Sequence, residues 1–524
     1  MKSIEIHADI LLFTLAKVIP LGLLAYITGI IVYRIWFHPL AKFPGPVLAK
    51  VTNLYGGYFA WKGDLHVNML QCHEKYGDIV RYAPDRLLFN TNTGLKASLM
   101  IFDSAEIYAF SKSFQKASLY GAMVHRAPNT LTLIDKKQHG RKRRTIGQGF
   151  GDNALRGFED SIMVEVRRFC DQLFEDTPPN EWSVPQNLGK WSNYLTFDIM
   201  SSLIFGESFD LLGNPEHREV VQSIEDSNVR TGVLLQAGEL AMHRLDRKLF
   251  PQAITGRNHF IRFVNQLLKK RMSAKPLKRK DVFSFLLDAV DPETQQGFTS
   301  AEIGAESTTM IVAGSDTTST AIASAFFYLC RYPDAYEKVK NEVRAAFTEA
   351  SDVTLGPALS GCTYLKACID ESLRMSPPAG SSLWREVVQD GVVIDGHVIP
   401  RGYDVGTCIY AIQHNPQYFP EPFEFRPDRW LEEPEKVKLA RSAFNPFSVG
   451  PRSCLGKGLA LTELSLTMAY LLSKYDFRLA PGSEKVGGGS ALNGPGRDHE
   501  KEYQLHDHVT AAKNGPIVQL RARE

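Results

Sequence analysis

Phe447-Ser448-Val449-Gly450-Pro451-Arg452-Ser453-Cys454-Leu455-Gly456 stands directly ahead of an apolar run that reaches Tyr475. Gly456–Tyr475 is apolar around most of a helical circumference, so the sequence predicts a buried helix there. The amino end of such a helix offers backbone N–H donors and positive potential, which keep a cysteine thiolate deprotonated and able to ligate a metal. Gly450 and Gly456 permit a backbone that wraps the sulfur closely. A buried structural cysteine after a turn would account for Cys454 but not for Phe447, Gly450, Arg452 and Gly456 around it.

Upstream, Thr299–Tyr332 reads as a long, mostly apolar helix, with Pro333 marking its end. Ala313-Gly314-Ser315-Asp316-Thr317-Thr318 lies within it. Polar residues in mid-helix commonly bond the preceding turn, but an acid beside a hydroxyl also suits a proton relay. Gly314 leaves out a side chain where a ligand must approach the backbone. Leu365–Arg374 is a shorter helix ended by Pro377-Pro378, with Glu371 and Arg374 at i, i+3, close enough for an ion pair. Asn193–Phe205 is amphipathic and stops at Gly206, a C-cap. Asp78–Tyr82, Gly391–Ile399 and Pro516–Arg521 are strand-like, and Gly487–Gly496 reads as a flexible surface loop. The balance is mainly α with small β-sheets.

These segments together resemble the cytochrome P-450 superfamily. Phe447–Gly456 is similar at every defining position to its heme-binding loop, F-x-x-G-x-R-x-C-x-G, and Ala313–Thr318 to its oxygen-activation motif, A-G-x-D/E-T-T/S. The resemblance implies a single large heme-thiolate domain binding heme b, with Cys454 as the axial iron ligand, Phe447 packed beside it and Arg452 on a heme propionate. It makes Asp316 and Thr317 the catalytic pair. Phe425–Trp430 resembles the family's P-E-R-F/W segment with Asp428 for Glu, so Arg429 would join Glu371 and Arg374 in a buried structural triad. In the basic run Lys136–Arg144, His139 stands where the family's W-x-x-x-R has tryptophan and Arg143 where it has arginine, both toward a propionate; Arg385 matches the second propionate-binding residue. The remaining cations, Lys142 among them, would suit an acidic electron-donor surface. The pocket would be walled by Ala122–Thr130, Met310–Ala313 and Ala379–Leu383.

The 524 residues carry 60 basic and 58 acidic side chains, a net charge of +2, which gives nucleic-acid binding no support. Seven cysteines, an odd number in a long chain, argue for a reducing compartment, with Cys362 and Cys368 as packing residues. Val18–Tyr33 is uncharged, and Ile10–Tyr33 or Val18–Phe37 reaches the roughly 20 apolar residues that a membrane span needs. No small-residue cleavage site follows it. Arg34, His38, Lys42 and Lys50 form a basic flank that favours a cytosolic remainder. A retained single-pass anchor over residues 1–42 is expected, in the endoplasmic reticulum membrane, with 43–524 as the cytosolic catalytic domain after the Phe43-Pro44-Gly45-Pro46 turn; a buried core helix is the alternative.

No G-x-G-x-x-G follows a predicted strand, so electrons would come from NADPH through a separate flavoprotein, NADPH–cytochrome reductase. The reading is a monooxygenase that inserts one atom of O2 into an apolar small molecule, similar to fungal members that decorate secondary metabolites. A heme-thiolate isomerase or dehydratase, whose members tend to lose the acid–threonine pair, and a non-enzymatic heme-binding protein are the alternatives.

Overall fold

The computed structural model describes residues 2–95, 107–109, 111–124, 126–178, 180–273, 281–291 and 293–523. Its first helix, α1 (Lys2–Val32), runs into a π-helical turn over Tyr33–Phe37. Lys17–Phe37, 21 residues, is long and apolar enough to cross a membrane, and none of its apolar window is buried in the protein. Val18, Ile19, Leu21 and Leu24 all stand exposed, which sets aside the buried-core alternative. The Phe43–Pro46 turn is fastened to the body, because Arg81 N donates to Pro44 O at 2.7 Å.

The body is built on α2 (Lys136–Gly147), α3 (Leu188–Phe205), α4 (Glu219–Gln236), α5 (Ser300–Leu329), α6 (Pro333–Ala346), α7 (Thr363–Met375) and α8 (Lys457–Lys474). At the centre lies α5, packed against α3, α7 and α8 around the largest hydrophobic core. Thr299 is its N-cap and forms a reciprocal capping box with Glu302. The helix stops at Leu329, before the expected Tyr332, and Pro333 opens α6 instead of closing α5. A first-turn proline costs nothing because that N–H has no intrahelical partner anyway. In α3 the start lies five residues ahead of Asn193, where the Asn187 side chain accepts from Lys190 N; Gly206 closes it in the left-handed region, φ 73°.

Small sheets flank the helices. Five strands, β1 (Ile79–Ala83), β2 (Arg86–Phe89), β3 (Phe114–Lys116), β5 (Arg385–Val387) and β8 (Asp404–Gly406), form one sheet in the order β1-β2-β8-β5-β3. β4 (Gln186–Asn187), β12 (Ile517–Ala522) and β9 (Tyr475–Leu479) form another, while β10 (His506–His508) and β11 (Thr510–Ala512) make a hairpin. Gly391–Ile399, expected as one strand, is a second hairpin of β6 (Val392–Ile394) and β7 (His397–Ile399). Asp395 and Gly396 at its tip both have positive φ, 48° and 75°, the Asp-Gly turn that matches strand twist. The glycine-rich stretch after Gly487 is also not a free loop. Gly489 N bonds His499 O, Ser490 N bonds Arg497 O, and a Cβ on Gly488 would lie 2.3 Å from Glu500 O. Its glycines serve close backbone approach.

Between α7 and the segment before the cysteine loop lies a buried charge cluster. Glu371 Oε1 accepts from Arg374 Nη2 at 3.0 Å and from Arg429 Nε at 2.9 Å, and Glu371 Oε2 from Trp430 Nε1 at 3.0 Å. Arg374 Nε also donates to Oε2 and Arg426 N to Oε1, each at 3.0 Å, which makes five bonds. Burial opposes the charged form, but Arg374 and Arg429 outweigh it and hold the Glu371 carboxyl below its ordinary value. Removing one partner leaves charge uncompensated, so Glu371→Gln should cost about 3–5 kcal/mol of unfolding free energy in denaturant titration. A carboxyl with a depressed folded pKa stabilises above its unfolded value and loses that contribution as pH falls through the folded one. The deficit of the variant should therefore shrink below about pH 4.

Candidate active site

A cavity of about 390 Å³ opens between α5, α8, α2 and the β10–β11 hairpin, within the range of small-molecule sites. Cys454 alone among the seven cysteines has an exposed side chain, and it lines this cavity. The loop that carries it is closed by Cys454 N→Phe447 O at 2.8 Å and Ser453 N→Gly450 O at 3.0 Å. Gly450 adopts φ 74°, and a Cβ there would fall 1.8 Å from Tyr108 O, so only glycine fits. At Gly456 a Cβ meets nothing within 4 Å; that residue's backbone N–H reaches the Cys454 sulfur instead. Burial pushes the Cys454 thiol up, opposed by that N–H, Arg143 and Lys457. Coordination to a metal would remove the proton outright.

Five basic groups converge on the same cavity: Lys116, His139, Arg143, Arg452 and, one residue beyond the lining Trp384, Arg385. Lys116 and Arg385 are both buried and directly opposite in the antiparallel β3–β5 ladder. Like charges so placed destabilise a sheet. Burial, then Arg385 and Arg452, drives Lys116 well below its ordinary value; burial, then Arg452 and Arg143, pulls His139 down to about 3. Arg452 falls to about 10, by burial and then Arg385. These groups spend their donors on carbonyls: Arg143 on Ser453 O at 2.7 Å, Arg452 on Ile134 O at 2.8 Å, Arg385 on Trp384 O at 3.0 Å. None of the five forms an ion pair among the described residues. Three arginines without a carboxylate partner among the described residues, with Lys116 and His139 as further donors, stand beside one accessible sulfur and fit a metal macrocycle that carries two carboxylates, which is heme.

Opposite, α5 presents Ala313, Gly314, Thr317 and Thr318 to the cavity. Thr317 Oγ1 donates to Ala313 O at 2.6 Å, back-bonding its own helix. Asp316 turns away: it is buried, does not line the cavity, and accepts from Asn228 Nδ2 at 3.2 Å and from the Thr510 hydroxyl. Thr510 itself lines the cavity, so it connects the acid to the open space. Burial pushes the Asp316 carboxyl up, opposed chiefly by Lys513. Gly314 lines the cavity, as the expected ligand approach requires, and it also faces α3. A Cβ there would lie 2.5 Å from the Met200 side chain, so the missing side chain lets α5 close on α3.

The three expected walls do meet here, through Met123 and Thr130, Met310 and Ala313, and Ala379, Ser381, Ser382 and Leu383; His125 lies outside the described residues. Lys142 corrects the sequence reading. It is 2% exposed and bonds Glu302 at 3.1 Å and Glu306 at 3.4 Å, so it offers no charge to an outside partner. Of its neighbours, Arg141 pairs with Glu302, and Arg144 with Glu293. Sequence reasoning missed Lys116, Glu306 and Thr510. Glu306 had a signal, since it repeats on the helix face of Met310, Ala313 and Thr317. Lys116 and Thr510 had none, being brought in by strand pairing.

The family model described as Cytochrome P450 matches residues 44–487. The chain is 49% identical to "Cytochrome P450 monooxygenase AKT7" of Alternaria alternata over 97% of its length and 98% of the relative's. It is 46% identical to "Cytochrome P450 monooxygenase poxM" of Penicillium oxalicum, covering 95% and 93%, and 44% identical to "Cytochrome P450 monooxygenase atnE" of Emericella nidulans, covering 94% of each. A match over most of the chain, with relatives this similar end to end, means that the protein belongs to the cytochrome P450 family and is a heme-dependent monooxygenase.

Proposed function

We propose that Cys454 ligates the heme iron and that Arg143, Arg385, Arg452 and His139, with Lys116, hold the two propionates, while Phe447 packs beside the sulfur and Gly450 and Gly456 shape the loop. The observation that carries this reading is the accessible Cys454 sulfur sharing one cavity with a cluster of basic side chains that have no carboxylate partner among the described residues. When bound, the heme supplies the iron that takes up O2 and electrons. The chain's own residues do the rest. Thr317 Oγ1 can turn from Ala313 O to hold a water, and Asp316, reached through the Thr510 hydroxyl, resupplies the proton. Glu371, Arg374 and Arg429 form a structural triad that positions the loop and touches no reactant.

The substrate is an apolar small molecule, in keeping with the mostly apolar lining, and the resemblance to fungal members points to secondary metabolism. Electrons come from NADPH through a separate flavoprotein, NADPH–cytochrome reductase. Residues 1–42 form a single-pass anchor in the endoplasmic reticulum membrane and 43–524 the cytosolic catalytic domain; the exposed apolar stretch Lys17–Phe37 supports the anchor.

Reduced protein under carbon monoxide should show the long-wavelength Soret band of thiolate ligation, and Cys454→Ala should abolish it. Persistence of the band in that variant, with loss on changing Cys408, would overturn the ligand assignment. Deleting residues 1–36 should shift the protein at least partly from the membrane pellet to the supernatant with heme content unchanged; heme loss would place the segment in the core. Thr317→Ala should leave NADPH oxidation running while hydrogen peroxide rises and product falls, and Asp316→Asn should slow turnover by about 10²-fold or more. Unchanged coupling in the Thr317 variant would reduce that residue to helix packing.

A further inference from the structure

We propose that Glu306 is a specificity-determining acceptor, and that the substrate carries an uncharged hydrogen-bond donor, a hydroxyl, which docks on its Oε2 oxygen while the apolar remainder runs along α5 toward Thr317. This rests on the reading above that the cavity is the substrate site. Glu306 lines the cavity three helical turns before Thr317, on one face with Met310 and Ala313. Eleven residues of helix separate the two by roughly 16 Å.

Its two oxygens differ. Oε1 is saturated, by Thr130 N at 2.8 Å, the Thr130 hydroxyl at 3.1 Å and Lys142 Nζ at 3.4 Å. No described residue donates to Oε2, although the side chain is 2% exposed. Oε2 keeps some accessible surface toward the cavity, so a donor arriving there can complete its hydrogen bonding. The neighbouring hydroxyl does not compete: Thr309 accepts from Asn129 at 2.6 Å and donates to Ala305 O at 2.9 Å.

The sign of the partner follows from Lys142. Its ammonium already compensates Glu306, so a cationic head would be desolvated against a charge that is mostly neutralised. An anionic head would face like charge. A neutral donor avoids both costs. Leu119, Met123 and Met310 leave the rest of the lining apolar, which suits a chain or ring system rather than a second polar group.

Dodecanol and dodecyl methyl ether share a dodecyl chain and an oxygen at its end, but only the alcohol donates. Binding of each to the heme-loaded full-length protein is measured by calorimetry, for wild type and for Glu306→Gln. The variant keeps an acceptor for Thr130 and replaces Oε2 with an NH2 that donates. Wild type should bind the alcohol about ten-fold or more tightly than the ether, and in Glu306→Gln that preference should vanish or reverse. Equal binding of the two probes by wild type, binding of neither, or an undiminished preference in the variant would overturn the proposal. The carbon monoxide band on the same preparations keeps the readings apart: its absence defeats the heme-thiolate assignment, whereas a normal band without alcohol preference defeats only the role of Glu306.

Discussion

The carboxylate of Glu371 takes five hydrogen bonds inside the protein, three from two guanidinium groups, one from an indole and one from a backbone amide. The two arginines use their other donors on the carbonyls of Gln413, Pro420 and Pro422. One ionised side chain on α7 thereby fixes the course of the segment that leads into the cysteine loop. Its net worth in stability is modest, because burying three charges is expensive. Its geometric worth is larger. Each fork has one acceptable placement of carbonyl oxygens, and the chain between Pro420 and Trp430 must supply it.

A second arrangement runs against stability. Placing Lys116 and Arg385 opposite each other in a ladder, with Arg452 and Arg143 nearby, gathers basic groups where water is scarce and keeps His139 neutral. Natural chains violate local rules of this sort at functional sites. A dianionic group at that wall turns the repulsion into attraction, so binding and folding are linked there. The lining also holds three carboxyls, Glu306, Asp507 and Glu463, and burial raises all three above their ordinary values.

Several local readings were changed by tertiary contact. Gly314 faces the Met200 side chain of α3 as well as the cavity, which no inspection of its own helix could show. The glycines after Gly487 looked like a mobile loop because composition reports conformational freedom, not the backbone that approaches from Glu500 and His499. Lys142 sat in a run of cations that suggested a solvated face, yet α2 turns that position inward onto Glu302 and Glu306. The Asp395-Gly396 turn and the first-turn preference of Pro333 carried local signals that the reading of one strand and of a helix end passed over.

The sequence alone determined the mainly helical class, the apolar amino-terminal helix, the central helix with its acid and hydroxyl, and the cysteine loop. Each of these depends on a short-range pattern: helical periodicity, caps, and glycines at fixed offsets from a cysteine. Only the tertiary structure decided which way each side chain faces and what meets it. That Asp316 points to Thr510 and not into the cavity, that Lys116 stands across from Arg385, and that Glu306 keeps one oxygen without a described donor all come from segments far apart in sequence. Their pairing is set by packing around α5, where the burial of one face of each element leaves its polar groups no choice of partner.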